Sequence, residues 1–192
     1  MSTIESSQAV SRADIDLGRV VRDAGRRFLD DVVPLVLATL VALALSIVTL
    51  GVLAGPLYAG LLNMVIRRAK EGRRPEVGDV FSCMDRFWSF LGAAVVLVLT
   101  IGLASITIVG GILLGAIWLY VFPLMIDRRI GLWEAMRTSK DMVVRAGFWE
   151  HVALVILLAA VNALGHGPLV LLTIPFTVVA TAVAYHQIAV DA

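Results

Sequence analysis

Cysteine, lysine and internal charge are scarce in this sequence, and each shortage narrows the reading. Cys83 is the single cysteine, so an internal disulfide and a cysteine-rich metal site are excluded. Only Lys70 and Lys140 are lysines, and the rest of the sixteen basic residues are arginines. Charge of either sign is missing from three long runs, Val32–Ile66, Ser89–Ile126 and Val152–Val190, of about 35 to 39 residues each. Also missing are a Gly-rich phosphate loop, a nucleophile elbow and an HExxH pair. The first apolar run begins near Val32 with no small-residue cleavage site at the right distance, which argues against a cleavable signal peptide.

What is present is apolar and arranged in blocks. Hydrophobic residues make up 59% of the 192 positions and charged residues 16%, with a mean hydropathy of +0.91. Ordinary soluble domains hold about 45–50% apolar and about 25% charged residues, so the sequence predicts an integral membrane protein. A net charge of +1, with acids and bases mixed along the same stretches, points to no nucleic-acid partner.

Apart from Glu150 at the edge of the third and Asp191 near the C-terminus, the charges fall in three stretches. The first, residues 1–31, is read as a cytosolic or interfacial amphipathic segment with a helix over Ser11–Asp31. Leu17, Val20, Val21, Ala24 and Phe28 recur on one side, arginines and aspartates fill the other, and Ser11 with Asp14 offers a capping box. The second, Arg67–Trp88, opens with Arg67, Arg68, Lys70, Arg73 and Arg74. It predicts a short amphipathic helix restarting at Pro75, with Val77, Val80, Phe81 and Met84 as its apolar stripe. The third, Asp127–Trp149, predicts a helix over Leu132–Ala146 with Leu132, Trp133, Met136, Val143 and Val144 as its apolar side. Cys83 lies in a charged stretch assigned to the cytosol, where a free thiol is normal.

Residues 32–192 are read as one helical membrane domain of three hairpins, about 32–66, 89–126 and 152–190. Their turns are expected near Gly51, Gly55 and Pro56, at Gly110–Gly111, and at Gly165–Pro168. The return helix of the first hairpin is expected over Leu57–Ile66, and Pro123 and Pro175 are expected to kink their spans. The fold class is therefore all-α, polytopic, with six transmembrane helices and cytosolic amphipathic helices. The alternative is four spans, with Leu57–Ile66 and one other segment re-entrant. Every lysine and arginine falls on one face, so the positive-inside rule places both termini in the cytosol of a cell with a cytoplasmic membrane. Phe28, Trp88, Trp118, Trp133 and Trp149 make an interfacial aromatic belt. Arg67–Arg68 precede Phe87–Trp88 by the same 20 positions that separate Arg128–Arg129 from Phe148–Trp149, a weak repeat with a period of about 60.

One set of short motifs resembles the loosely related six-helix membrane domains of unknown function found across bacteria and archaea. One branch of these precedes some bacterial glycerophosphodiester phosphodiesterases. The residues that carry the resemblance are Gly55-Pro56-Leu57-Tyr58-Ala59-Gly60, then a basic run and Phe81. Pro123 with Asp127-Arg128-Arg129 follows, then Trp133 through Ser139, Pro175 and Tyr185. The resemblance covers roughly Leu35 to Ile188 and implies a helical membrane fold with no catalytic residues to carry over. No phosphodiesterase domain accompanies it here.

Candidate chemistry is sparse. His166 stands at a turn. His151 and His186, with Glu150, could form a zinc site, although hydrogen-bonding interfacial histidines are commoner. No cofactor is expected. Asn63 stands in the first block, and Asn162 and Thr173 could line a polar path or bond a neighbouring helix. Gly51 with Gly55, Gly111 with Gly115, and Ala180 with Ala184 are small-xxx-small pairs, suited to helix contacts within one chain or between copies. Three readings follow. The first is a non-enzymatic, oligomeric scaffold or membrane-shaping protein whose partners are the lipid bilayer and its own copies. The second is a channel or small-solute permease, and the third a membrane enzyme resting only on His151 and His186. The missing intramembrane charge favours the first.

Overall fold

Residues 15–190 are described by a computed structural model, with the side chain of residue 190 left aside. Ser11 and Asp14, the expected capping pair, lie outside the described residues. The first helix, α1 (Leu17–Asp30), is instead capped by Asp16, whose carboxylate accepts the Arg19 amide at 3.0 Å. Val20 and Ala24 are its buried residues, and α1 lies chiefly against the last helix of the chain. Phe28 meets Phe176 of that helix edge to face, with ring centroids 6.0 Å apart. At Asp31 the chain turns through 87° into α2 (Val32–Val48), so α1 runs across the direction of the apolar helix that follows it.

α2 turns back at Thr49–Leu53 into α3 (Ala54–Glu71). Leu50 (φ 51°) and Gly51 (φ 85°) supply the left-handed turn. The return helix is therefore longer than the expected Leu57–Ile66. Gly55 and Pro56 fall in its first turn, where a missing proline N–H costs nothing, and the arginines extend its far end. α3 is buried along most of its length. Two glycines let its neighbours approach. An added Cβ at Gly55 would lie 2.6 Å from the Phe90 carbonyl oxygen, and one at Gly60 would overlap the Val80 carbonyl.

The second charged stretch forms short 3-10 turns, Val77–Phe81 and Met84–Arg86, rather than the expected amphipathic α-helix. The Asp79 carboxylate accepts the Glu76 amide at 3.0 Å and holds the first of these turns. α4 (Phe87–Ala104) follows, then a turn at Ser105–Thr107 and α5 (Ile108–Ile117). The turn thus precedes Gly110 and Gly111, which lie in the first turn of α5. Gly111 faces Ser105, where an added Cβ would clash. The chain breaks again at Trp118–Tyr120 before α6 (Val121–Asp127). Pro123 accounts for this break. Its ring cannot share a helix with the carbonyl of Leu119 four residues back, and its place in the first turn of α6 needs no N–H. Pro175, by contrast, is carried within a continuous helix.

α7 (Leu132–Arg145) buries Ala135, Met136, Ser139, Met142 and Val143. Trp133 and Val144, expected on its apolar side, are exposed. A 109° bend at Gly147 leads to α8 (Phe148–Leu164), and α9 (Val170–Val190) closes the described chain. α3 and α9 are the central helices, with α9 touching α1, α2, α3 and α8. α4 presents Val95, Val98, Leu99 and Leu103 outward. Among the described residues, Val77–Ala104, Ile108–Asp127 and Gly167–Ala189 are long and apolar enough to cross a membrane. Counting α1 with α2, and α7 with α8, as single broken spans raises that number to five.

Candidate functional site

The basic and acidic side chains bind helix ends together at one end of the molecule. Arg68 of α3 donates from Nε to Asp31 at 2.9 Å, and its Nη1 donates to the Gly72 carbonyl at 2.7 Å. Asp31 itself is buried at the entrance to α2. Lys70 pairs with Asp127 at the end of α6, and Tyr185 of α9 donates its hydroxyl to the other oxygen of that carboxylate at 2.9 Å. Arg86, at the entrance to α4, donates to the Met125 carbonyl at 2.7 Å and the Ile130 carbonyl at 3.2 Å. Its guanidinium also lies over the Phe90 ring, 5.5 Å from the centroid. Ends of α2, α3, α4, α6 and α9 thus meet in one polar layer. Asp127 is its hub, with both carboxylate oxygens engaged.

A cavity of about 210 Å³ opens beside that hub. Lys70, Asp127, Arg128, Tyr185 and His186 form its polar wall, and Ile66, Ala182 and Ala189 contribute apolar surface. A larger cavity of about 360 Å³ lies between α2, α3 and α4. It is almost wholly apolar, with Thr39, Ser46 and Tyr58 as its polar side chains. The Thr39 hydroxyl is already spent on the Leu35 carbonyl at 2.8 Å.

A second polar cluster sits where α7 crosses the α5–α6 break. Ser139 donates to the Ile117 carbonyl at 2.7 Å and accepts the Tyr120 amide at 3.2 Å, satisfying backbone groups that the break leaves open. Tyr120 meets His151 edge to face, with centroids 5.5 Å apart. The Nδ1 of His151 lies 2.5 Å from the Gly147 carbonyl oxygen, so it carries the proton and Nε2 is left as an acceptor. The Tyr120 hydroxyl and His151 Nε2 are buried without a partner among the described residues.

His151 and His186 therefore serve different surroundings: one faces Tyr120, the other lines the charged cavity. Among the described residues no group of three metal-ligating side chains is close enough to hold an ion. His166 is exposed at the α8–α9 turn, and Asn162 is exposed near the end of α8. Asn63 bonds the Ser82 hydroxyl at 2.8 Å. Gly51 sits in a turn with open space around it, Gly55 lies against α4, and a Cβ added at Gly115 would lie 3.7 Å from the Val155 side chain of α8. Ala180 and Ala184 are buried in the core. Trp88, Trp133 and Trp149 are exposed, whereas Phe28 and Trp118 lie partly buried against the core. Sequence reasoning missed Asp127 as a hub, Arg86 as a clamp and Ser139 as a backbone partner. The available signal for Ser139 was a small polar residue within a buried helical stripe.

These features define a class: an all-helical, multi-pass integral membrane protein with one polar end. No family model, no curated protein and no solved structure matches the chain.

Proposed function

We propose that the protein is a non-enzymatic, self-associating scaffold or membrane-shaping protein of the cytoplasmic membrane, with its polar end and both termini in the cytosol. The observation that carries this reading is the contrast between its two ends. The polar end bears α1, α7 and the 3-10 turns, with Trp88, Trp133 and Trp149 exposed. Among the described residues only short turns stand at the other, one of them the 3-10 turn Gly167–Leu169. A body wider at one leaflet than at the other biases curvature when many copies assemble. In this reading α2, α3, α4, α5–α6, α8 and α9 are six membrane segments in three hairpins. Helices of 17 to 21 residues rise about 26–32 Å at 1.5 Å per residue, close to the hydrocarbon thickness of about 30 Å. The positive-inside rule supports the orientation. Kinship with the six-helix bacterial and archaeal membrane domains belongs to the same proposal.

Gly55 and Gly111 face neighbouring residues of their own chain, so contacts between copies fall instead to the outward apolar rows of α2 and α4. Particle images of the protein in lipid nanodiscs and in several mild detergents test the proposal. A uniform assembly of several copies is expected, and a monomer in every condition overturns it. The 360 Å³ cavity favours a second reading, a permease for an apolar solute. Solute flux in liposomes from a monomeric protein would select it.

A further inference from the structure

We infer that the cavity between α3, α6 and α9 holds the phosphate of an anionic headgroup, with Arg128 and His186 as its ligands and Lys70 at its rim. Three observations carry this. First, both oxygens of Asp127 are already engaged, one by Lys70 and one by the Tyr185 hydroxyl, so the one carboxylate that the described residues bring to the wall is neutralised within it. Second, Arg128 is exposed at the cavity mouth and makes no ion pair among the described residues, while His186 adds an imidazole with no hydrogen bond of its own among them. With Asp127 set against Lys70, the described residues of the wall therefore keep a net positive charge. Third, Ile66, Ala182 and Ala189 give the same cavity an apolar side. A group that is anionic at one end and apolar at the other fits such a wall.

The position suits a lipid. The cavity stands where α3, α6 and α9 leave their apolar stretches, which is the headgroup level if the polar end lies at the membrane surface. Basic pockets between membrane helices at that level take phosphate-bearing headgroups. A phosphate monoester or diester offers acceptor oxygens on several sides. Arg128 can meet two of them through parallel N–H groups, and His186 can donate to another. The shared chemistry is the phosphate group, and a lipid headgroup or a soluble phosphate compound could bring it.

Native mass spectrometry and thermal unfolding in a mild detergent distinguish these sources. The probes are phosphatidylglycerol, phosphatidylcholine and inorganic phosphate. Phosphatidylglycerol is expected to stay bound and to raise the unfolding temperature more than phosphatidylcholine does. Arg128→Gln should weaken phosphatidylglycerol binding about fivefold, since a basic residue near an anionic surface contributes about 1 kcal/mol. Arg128→Gln with His186→Gln should remove the preference over phosphatidylcholine. Arg74→Gln, an exposed arginine of the linker, is the control and should leave the preference intact. Unfolding temperatures without added lipid show whether each variant folds. A shift with inorganic phosphate alone, lost in the double variant, keeps the site and assigns it to a soluble phosphate compound. Equal retention of phosphatidylglycerol by wild type and double variant overturns the inference. So does the absence of any preference in the wild type. Neither result depends on self-association, so failure here and failure of the scaffold reading are separate.

Discussion

Arg68, Lys70, Arg86 and Tyr185 reach partners 37 to 58 positions away. At the opposite end, the hydroxyls of Thr49, Ser105, Thr107 and Thr173 donate to carbonyls three or four residues back, and that of Thr49 also accepts the Leu53 amide four residues on. In the proposed placement across the membrane, the difference follows from solvent. Long polar side chains can cross between helices where water receives whatever part of them is left over. In hydrocarbon every polar group must be satisfied close to home, and a hydroxyl folded back onto its own helix does this at least cost. One end is therefore specified by cross-chain charge and hydrogen bonding. The other is specified by turn geometry and shape alone.

The largest test of this contrast is all-or-none. Leu50 and Ile106 are almost fully exposed apolar tips, while the third tip carries His166 between two glycines. In a Cys83→Ala background, His166→Cys should react with an impermeant maleimide added outside intact cells. Arg74→Cys should react only after the membrane is opened, and Leu50→Cys and Ile106→Cys only in detergent. The native thiol is no reporter, because Cys83 is buried whichever side it faces. External labelling of Arg74→Cys would reverse the orientation, and labelling of Leu50→Cys as fast as His166→Cys would abolish the distinction between tips.

The next effect is steric. Gly60→Val drives a side chain into the Val80 backbone and should cost about 3 kcal/mol or more, seen as a large fall in unfolding temperature or in folded yield. Gly51→Ala meets no neighbour but must hold φ 85°, so about 1 kcal/mol is expected. Equal losses at the two glycines would show that turn conformation, not helix approach, limits stability.

Asp127→Asn leaves Lys70 without its counter-charge and weakens the bond from Tyr185. With Lys70 half exposed, the loss should be about 1–3 kcal/mol, larger than for Thr49→Val, where only a local bond disappears. A Thr49→Val loss equal to that of Asp127→Asn would contradict the division of labour between the ends.

The smallest effect is at Asp16. The backbone N–H of Arg19, bonded to its carboxylate, holds its pKa below the ordinary carboxylate value. A lowered folded pKa means that the cap stabilises α1 fully above the unfolded value of about 3.9 and fades as pH falls through the folded one. Exchange protection of the first turn of α1 should drop in that acidic window, and Asp16→Ala should remove the pH dependence. A response that persists in Asp16→Ala would assign it to another carboxylate.

The helical class and the gathering of charge at one end were legible because both depend on the pattern of apolar and charged residues. The hub at Asp127 was not, because its partners Lys70 and Tyr185 lie 57 and 58 positions away and no local rule links them. The turn at Ser105–Thr107 was hidden by the stronger signal of Gly110–Gly111. Those glycines instead make room for the turn that precedes them. Pro56 was read as part of a turn, yet it stands in the first turn of a helix, where its ring is harmless, whereas Pro123 does interrupt its span and then opens α6 from its first turn. The linker's apolar spacing suited a helix, but Gly78 and the bond that the Asp79 carboxylate accepts from the Glu76 amide favour the tighter 3-10 turn.

The placement of α1 on α9 sets an order of assembly. Synthesis proceeds from the N-terminus at about 5–20 residues per second, so α1 emerges on the order of ten seconds before the helix it covers. During that interval Val20, Ala24 and Phe28 have no α9 to cover them. Closure of the fold is thus a late, long-range event joining the first helix of the described chain to the last. A chain stopped before Phe176 would hold all its earlier hairpins and still leave α1 undocked, with an apolar stripe open to the quality-control proteases that read unfinished proteins.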